Sequence, residues 1–149
     1  MKMVDVSNKK VTLRKAVAGG EIFCAPETVS LIERGEIKKG DVFAAARIAG
    51  IMAVKRTPDI VPLCHSITIQ SADLELEAFT DRIAVTATVL SEGKTGVEME
   101  ALTAVSAACL CVYDMCKPVD KSMVIGDIRL LYKSGGVSGE YISDKYQPL

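Results

Sequence analysis

The chain has 149 residues, of which 49% are hydrophobic and 25% are charged, and its formal net charge is −1. These values predict one globular domain over residues 1–149, with mobile ends at 1–10 and 137–149. The near-neutral charge and the lack of tryptophan argue against a nucleic-acid-binding protein or one drawn to anionic membranes.

The five cysteines form no C-x-x-C pair, and the polar first fifteen residues lack the apolar core of a secretory signal. We therefore expect reduced thiols and a cytoplasmic protein. An uncharged run from Ala101 to Tyr113 raises the question of a membrane span. Its thirteen residues fall short of the roughly 20 that a helix needs to cross a bilayer, so we expect no membrane segment.

Hydrophobic periodicity and turn residues predict seven elements. In chain order they are a strand at 11–24, helices at 26–35 and 41–56, hairpin strands at 67–78 and 83–89, a helix at 95–117 and a strand at 123–133. Pro26 suits a first helical turn, Gly35 a helix end and Asp41 an N-cap. Pro58 and Pro62 bracket a segment that we expect to be irregular.

The element order is β-α-α-β-β-α-β. Without the short first helix, this is the split β-α-β arrangement of ferredoxin-like folds. The fold class predicted is therefore α+β, with an antiparallel sheet and helices packed on one face.

The motif Gly93-Lys94-Thr95 looks like the end of a phosphate-binding P-loop. That loop requires a glycine five residues before Gly93, where Thr88 stands, so we reject it. Thr95 and Glu98 instead have the spacing of a helix capping box. The pattern leaves open whether Glu98 is only a cap or also takes part in catalysis.

The histidine and cysteines make a weak case for a metal. His65 is the single histidine, and a zinc site built on it and Cys64 would need two further ligands. Cys109 and Cys111 point about 200° apart on a helix and cannot share an ion. We therefore predict no metal bound by the protein.

Glu100 and Asp114 lie fourteen positions apart on the predicted third helix. They fall within about 40° of one helix face but about 21 Å apart along its axis. Paired catalytic carboxylates lie within about 10 Å of each other. Either the two residues belong to different sites, or a second subunit brings one opposite the other in a symmetric oligomer.

Three lysines have two readings each. Lys117 can contact Asp114 three positions away, as a plain surface ion pair or as a group whose pKa is tuned for proton transfer. Lys39 precedes a helix N-terminus and is either a solvated loop residue or part of an anion site. Lys133 precedes Ser-Gly-Gly and either binds phosphate or belongs to a frayed segment.

Six segments in order closely resemble the cyclic pyranopterin monophosphate synthases, the C proteins of molybdenum cofactor biosynthesis. They are MVDVS, KGDVFAAARIAGI, VPLCH, GKTGVEMEALTA, YDMCK and LLYKSGG, and the likeness runs from Met3 to about Glu140. It implies a phosphorus-oxygen lyase that converts 3′,8-cyclo-7,8-dihydroguanosine 5′-triphosphate to cyclic pyranopterin monophosphate and pyrophosphate. It also implies a ferredoxin-like fold and a homohexamer, a trimer of dimers, with active sites at subunit interfaces.

The resemblance implies catalytic roles for Asp114, Lys117 and Lys39. By matching position it also implies seven substrate-contacting residues: Arg14, Leu63, Cys64, His65, Met99, Glu100 and Lys133. In this chemistry, lysines with lowered pKa values would move protons and surround the phosphates. Ser66 is one departure, since relatives often have proline there.

The resemblance implies no cofactor. Magnesium carried by the substrate triphosphate is compatible with the sequence, although no cage of carboxylates for it is evident. Residue types alone do not say which lysine is acid and which is base, nor the order of ring rearrangement and phosphate cyclisation. A non-catalytic oligomeric small-molecule-binding protein on the same scaffold is the alternative, because a fold does not by itself fix a function.

Overall fold

A computed structural model describes residues 1–147. Its elements are β1 (Thr12–Phe23), α1 (Pro26–Glu33), α2 (Val42–Ile60), β2 (Ile69–Ala78), β3 (Arg82–Gly93), α3 (Glu98–Cys116), β4 (Val124–Ser134) and β5 (Tyr141–Ile142). All seven predicted elements are confirmed, and β5 is an addition.

The strands form one antiparallel sheet in the order β2-β3-β1-β4-β5. β1 is central and pairs along its whole length with β3, from Thr12 opposite Gly93 to Phe23 opposite Arg82. α3 lies against β1, β3 and β4, while α2 lies beside α3 and against β2. The predicted ferredoxin-like α+β architecture is therefore confirmed.

Helix α3 is the centre of the core. Ala101, Ala104, Val105 and Ala108 on its inner face are fully buried. At Gly50 of α2, a Cβ atom would meet the side chain of Leu74 and lie 3.1 Å from the carbonyl oxygen of Ala104. The small residues of α2 thus allow the two helices to approach closely, as their composition predicted.

Helix α3 has 19 residues, so by length and composition alone it could cross a membrane. The uncharged run of thirteen residues had predicted a segment too short to do so. Half of the apolar stretch is buried within the protein. Since the fully buried carboxyl group of Glu100 also lies in its first turn, α3 has the features of a globular core helix.

The predicted end of the second helix at Arg56 is wrong, and the irregular segment expected from Pro58 begins only at Val61 and runs to Thr68. α2 continues through Pro58 to Ile60. Thr57 is fully buried and its hydroxyl donates to the carbonyl oxygen of Ala53, 3.1 Å away. Burial of this face outweighs the one backbone hydrogen bond that a proline cannot make.

The predicted capping box is also wrong. α3 begins at Glu98 with Val97 as its N-cap, and no side chain supplies the cap hydrogen bond. Val97 is fully buried and fixes where the helix starts, so Thr95 and Gly96 remain in the preceding loop. The carboxylate of Glu98 lies over Gly96, where an added Cβ atom would clash with it.

Both chain ends contain ordered contacts. Residues 141–142 pair with β4 as strand β5, and Tyr146 stacks on Tyr132 with ring centroids 5.2 Å apart. Near the N-terminus, Lys94 Nζ donates to the carbonyl oxygen of Ser7 at 2.8 Å. Mobility of 1–10 and 137–147 stays a prediction, and residues 148–149 lie outside the described part of the chain.

Candidate active site

One group of charged residues lies at the C-terminal end of α3. Asp114 accepts hydrogen bonds from Lys117 Nζ at 2.7 Å and from Lys39 Nζ at 2.6 Å. Lys39 also donates to the backbone carbonyl oxygen of Asp114 at 3.1 Å. The predicted Asp114–Lys117 contact is confirmed, and the structure adds Lys39 to it.

Local structure explains how Lys39 reaches this position. It lies in the loop between α1 and α2, just before Gly40, whose φ of 106° few other residues adopt. Asp41 follows and caps α2 by accepting from the backbone N–H of Ala44 at 3.0 Å. The loop places the Lys39 ammonium against the negative end of the α3 dipole, which favours a cation there.

The two ammonium groups set the charge state of Asp114. Hydrogen bonds from Lys117 and then from Lys39 lower the pKa of the Asp114 carboxyl to about 2. In return, Asp114 raises the pKa of Lys117 above its ordinary value. The lowered pKa expected for the catalytic lysines is therefore wrong for Lys117 in the unliganded chain, where it is an ammonium at neutral pH.

A cavity of about 420 Å³ lies at the other end of α3. Five of the predicted substrate-contacting residues line it: Leu63, Cys64, His65, Met99 and Glu100. The remainder of its wall comes from the N-terminal segment, from Ile67, and from the loop before α3 with the first residue of that helix. These residues are Val4, Val6, Lys9, Ile67, Thr95, Gly96 and Glu98. The structure thus brings together segments that are far apart in the sequence.

Glu100 is the most deeply buried charged side chain in this cavity, with only 2% of its surface exposed. Desolvation is the main reason that its carboxyl pKa is raised, and the nearby carboxylate of Glu98 adds to the shift. Burial, with a smaller contribution from Glu100, also raises the pKa of the Cys64 thiol. A carboxylate in such a place gains from a ligand that donates hydrogen bonds to it.

A second cavity of about 390 Å³ holds the two remaining predicted residues, Arg14 and Lys133. Lys9 and Lys94 add two further cations to its wall, and among the described residues Glu98 is its one lining carboxylate. Among residues 1–147, none of these four cations forms an ion pair with a carboxylate. The cavity therefore carries an unbalanced positive charge that suits an anion.

The two cavities are neighbours. Four residues line both: Lys9, Thr95, Gly96 and Glu98. Neither cavity is lined by Lys39, Asp114 or Lys117. A single chain therefore carries the two parts of the candidate site separately: a charged cluster at the C-terminal end of α3 and a pair of joined cavities near its N-terminal end.

Sequence reasoning missed Lys9 and Lys94, and it left open whether Glu98 is only a helix cap or also takes part in catalysis. The signal available for Lys94 was its place in Gly93-Lys94-Thr95, a lysine in the loop before a helix. No pattern marked Lys9. Within the described range 1–147, no group of three or more histidine, cysteine, aspartate or glutamate side chains has a metal-binding arrangement.

The sequence matches the MoaC family over residues 3–136. A cyclic pyranopterin monophosphate synthase of Roseiflexus sp. (strain RS-1) is 54% identical over 145 residues, 96% of this chain and 92% of the relative. The synthase of Dinoroseobacter shibae is 55% identical over 141 residues, 93% and 89% of the two chains. That of Pelotomaculum thermopropionicum is 51% identical over 142 residues, 94% and 84%. The chain belongs to the MoaC family.

Proposed function

We propose that this protein is a cyclic pyranopterin monophosphate synthase of molybdenum cofactor biosynthesis. It converts 3′,8-cyclo-7,8-dihydroguanosine 5′-triphosphate to cyclic pyranopterin monophosphate and releases pyrophosphate. Support comes from relatives of that name that are more than half identical over nearly the whole chain. The structural observation that carries the proposal is Asp114 held between Lys39 and Lys117, with an unbalanced cationic cavity elsewhere on the same chain.

In this proposal, Asp114, Lys39 and Lys117 are the catalytic residues. Rearranging a purine into a pyranopterin requires several proton transfers, which positioned amines and carboxylates accelerate. Lys117 enters the reaction as an ammonium, because Asp114 raises its pKa. It is therefore suited to donate a proton or to stabilise negative charge at a phosphate, and a ligand that draws Asp114 away would lower its pKa.

The joined cavities are the proposed substrate site. Glu100 accepts hydrogen bonds from the amine and ring N–H of the guanine-derived base, which offsets the desolvation of its carboxylate. Leu63 and Met99 supply apolar walls beside Cys64 and His65. The triphosphate lies along the cationic cavity, where Arg14 and Lys133, together with Lys9 and Lys94, neutralise its charge.

A homohexamer built as a trimer of dimers would bring the two halves together, with each site at a subunit interface. The separation of Asp114 and Glu100 at opposite ends of α3 supports this assembly, because neither cavity reaches the charged cluster. Exposed apolar side chains on the outward faces of α2 and α3 also favour association: Ile48 and Met52 of α2 and Leu110 of α3 are each more than half exposed.

We propose that the protein binds no metal or cofactor of its own and that any magnesium arrives with the substrate triphosphate. The cytoplasm is the proposed location. The five cysteines occur as free thiols, and the reducing cytoplasm keeps thiols in that state.

The test is a single-turnover assay that measures pyrophosphate and the oxidised fluorescent pterin together. Wild type should yield both products and Asp114→Ala neither. Asp59→Ala is the matched control, because Asp59 also forms an exposed ion pair three positions along a helix, with Arg56. If folded, oligomeric wild type yields neither product, the protein is a binder without this activity and the proposal fails.

A further inference from the structure

The carboxylate of Asp120 lies in the loop between α3 and β4 and is 7% exposed. Its Oδ2 accepts from the backbone N–H of Ala25 at 2.9 Å and from the hydroxyl of Thr28 at 3.1 Å. Its Oδ1 accepts from the backbone N–H and hydroxyl of Ser122, at 2.9 and 2.7 Å. One buried side chain thus joins its own loop to the start of a helix more than ninety positions away.

On one side, Asp120 caps α1. The N-cap residue of that helix is Ala25, which has no side chain able to accept a hydrogen bond. Asp120 bonds to the N–H of this residue and to Thr28 in the first turn, and it places a negative charge at the positive end of the helix. The position of α1 therefore depends on a side chain from another part of the chain.

On the other side, Asp120 fixes the end of α3. It follows Lys117 by three positions, and the backbone N–H groups of Val119 and Asp120 both bond to the carbonyl oxygen of Cys116. Oδ1 then closes the next turn through Ser122. The loop is held immediately after the residue that donates to Asp114.

The helix that Asp120 caps leads directly into the loop of Lys39. After α1 ends at Glu33, the chain is anchored by Ile37, which is 6% exposed, and Lys39 follows two positions later. The stretch from α1 to Lys39 is therefore joined to the end of α3 at two places. One is the surface contact of Lys39 with Asp114, and the other is the buried contact of the start of α1 with Asp120.

We propose that Asp120 is a positioning residue of the active site, which holds the α1–Lys39 segment and the Lys117 loop at the spacing that lets both lysines reach Asp114. The proposal rests on the proposed function for its kinetic consequence. Asp120 itself lines neither cavity and contacts none of the three catalytic residues, so it acts through the backbone.

The test substitution is Asp120→Asn. An amide keeps the size of the side chain but turns one acceptor into a donor that faces two other donors, so one of the two connections is lost. The first measurement is the rate at which an amine-acylating reagent modifies Lys39 and Lys117, read by mass spectrometry against the exposed Lys55. Both lysines should label several-fold faster in the variant, while Lys55 labels at the wild-type rate.

The second measurement is kcat and KM per folded subunit. We expect kcat to fall by about tenfold or more with KM within about twofold, since a small displacement of catalytic groups reduces rate more than binding. Leu76→Ala is the control for lost stability: it removes a buried side chain on β2, far along the chain from both connected segments. It should leave lysine labelling and kcat per folded subunit as in wild type.

Unchanged labelling of Lys39 and Lys117 in Asp120→Asn overturns the proposal, and so does faster labelling with a wild-type kcat. The labelling result does not depend on the reaction, so it decides the positioning even if the proposed activity is absent. If Asp120→Asn does not fold, Thr28→Val removes one donor to Oδ2 and should give the same two changes at smaller size.

Discussion

Lys39 Nζ lies 2.6 Å from Oδ2 of Asp114, although 75 positions of sequence separate the two residues. The same ammonium reaches the backbone carbonyl oxygen of Asp114, so it binds both the side chain and the end of the helix. Since Lys117 occupies the other carboxylate oxygen, Asp114 has an ammonium on each side.

Removing one of these ammonium groups should affect the reaction far more than the fold. In Lys39→Ala we expect the pKa of the Asp114 carboxyl to rise toward its usual value and product formation to fall by about a hundredfold or more. The melting temperature should hardly change, because the ion pair is exposed. Pyrophosphate release and thermal unfolding measure the two effects.

Lys38→Ala is the control for that experiment. Lys38 is the preceding residue, is also exposed and forms no ion pair within residues 1–147. It should keep wild-type activity. Equal activity of Lys38→Ala and Lys39→Ala would show that the Asp114 contact is a plain surface ion pair.

Because Glu100 is buried, replacing its carboxyl group by an amide should stabilise the fold and weaken substrate binding. Its pKa is raised in the folded state, so the stability it contributes is complete below its unfolded pKa, about 4.3, and is lost as the pH rises through the folded value. At pH 7, far above the unfolded pKa, the buried carboxyl group therefore stabilises the fold less than it does at low pH. We expect Glu100→Gln to raise the melting temperature at pH 7 and to weaken substrate binding.

Thermal unfolding of Glu100→Gln at pH 4 and pH 7, together with its KM, checks this expectation. The gain in melting temperature should be smaller at pH 4, where the wild-type carboxyl is protonated. Glu98→Gln provides the comparison, because Glu98 lines the same cavity but is only partly buried. A loss of stability in Glu100→Gln at pH 7 would contradict the electrostatic argument.

The contribution of Asp120 to stability should depend on pH in the opposite sense to that of Glu100. Hydrogen bonds from Ala25 and Ser122 lower the pKa of its carboxyl to about 2, below the unfolded value of about 3.9. Its stabilising contribution is therefore complete above about pH 4 and is lost as the pH falls toward 2. Acid unfolding of Asp120→Asn should start from lower stability at pH 7 and depend less on pH between 4 and 2 than that of wild type.

The cationic cavity predicts a salt-dependent effect on KM. Lys133→Ala and Lys94→Ala should each raise KM for the triphosphate substrate with a smaller change in kcat, and the effect should shrink as ionic strength increases. Lys55→Ala, on the surface of α2, should match wild type at every salt concentration. A fall in kcat alone would place these lysines outside the phosphate site.

A shared site predicts that two defective variants restore each other when activity is measured at low substrate concentration. Asp114→Ala lacks a catalytic group in one half of the site, and Glu100→Gln binds substrate weakly in the other. If each site combines halves from two subunits, a mixed and reassembled sample should regain up to about a quarter of wild-type activity by random pairing. Activity that stays at the level of the separate variants would place the complete site within one chain.

Local spacing explains which parts of the fold and site were predictable. Asp114 and Lys117 occur three positions apart on a helix, so their contact follows from helical geometry alone. Alternation along β2 and β3 likewise predicts the hairpin, and the order of elements predicts the ferredoxin-like topology. The resemblance to known synthases supplied residues such as Arg14, for which no local pattern exists.

Features that depend on burial were not predictable. Thr57 is buried, and this carries α2 through Pro58, where sequence rules favour a helix end. Burial of Val97 likewise moves the start of α3 away from a well-spaced capping box. Lys39 and Lys9 reach their sites through tertiary contacts, which no spacing in the sequence encodes.

The length of helix α3 fixes the distance and the relative orientation of the two parts of the site. It carries Glu100 in its first turn and Asp114 near its last, and Gly50 holds α2 closely against its middle. Inserting or deleting one residue between these ends would turn Asp114 by about 100° and shift it by about 1.5 Å relative to Glu100. Substitutions along α3 can therefore be absorbed locally, whereas a change in the number of its residues would misalign both halves of the site at once.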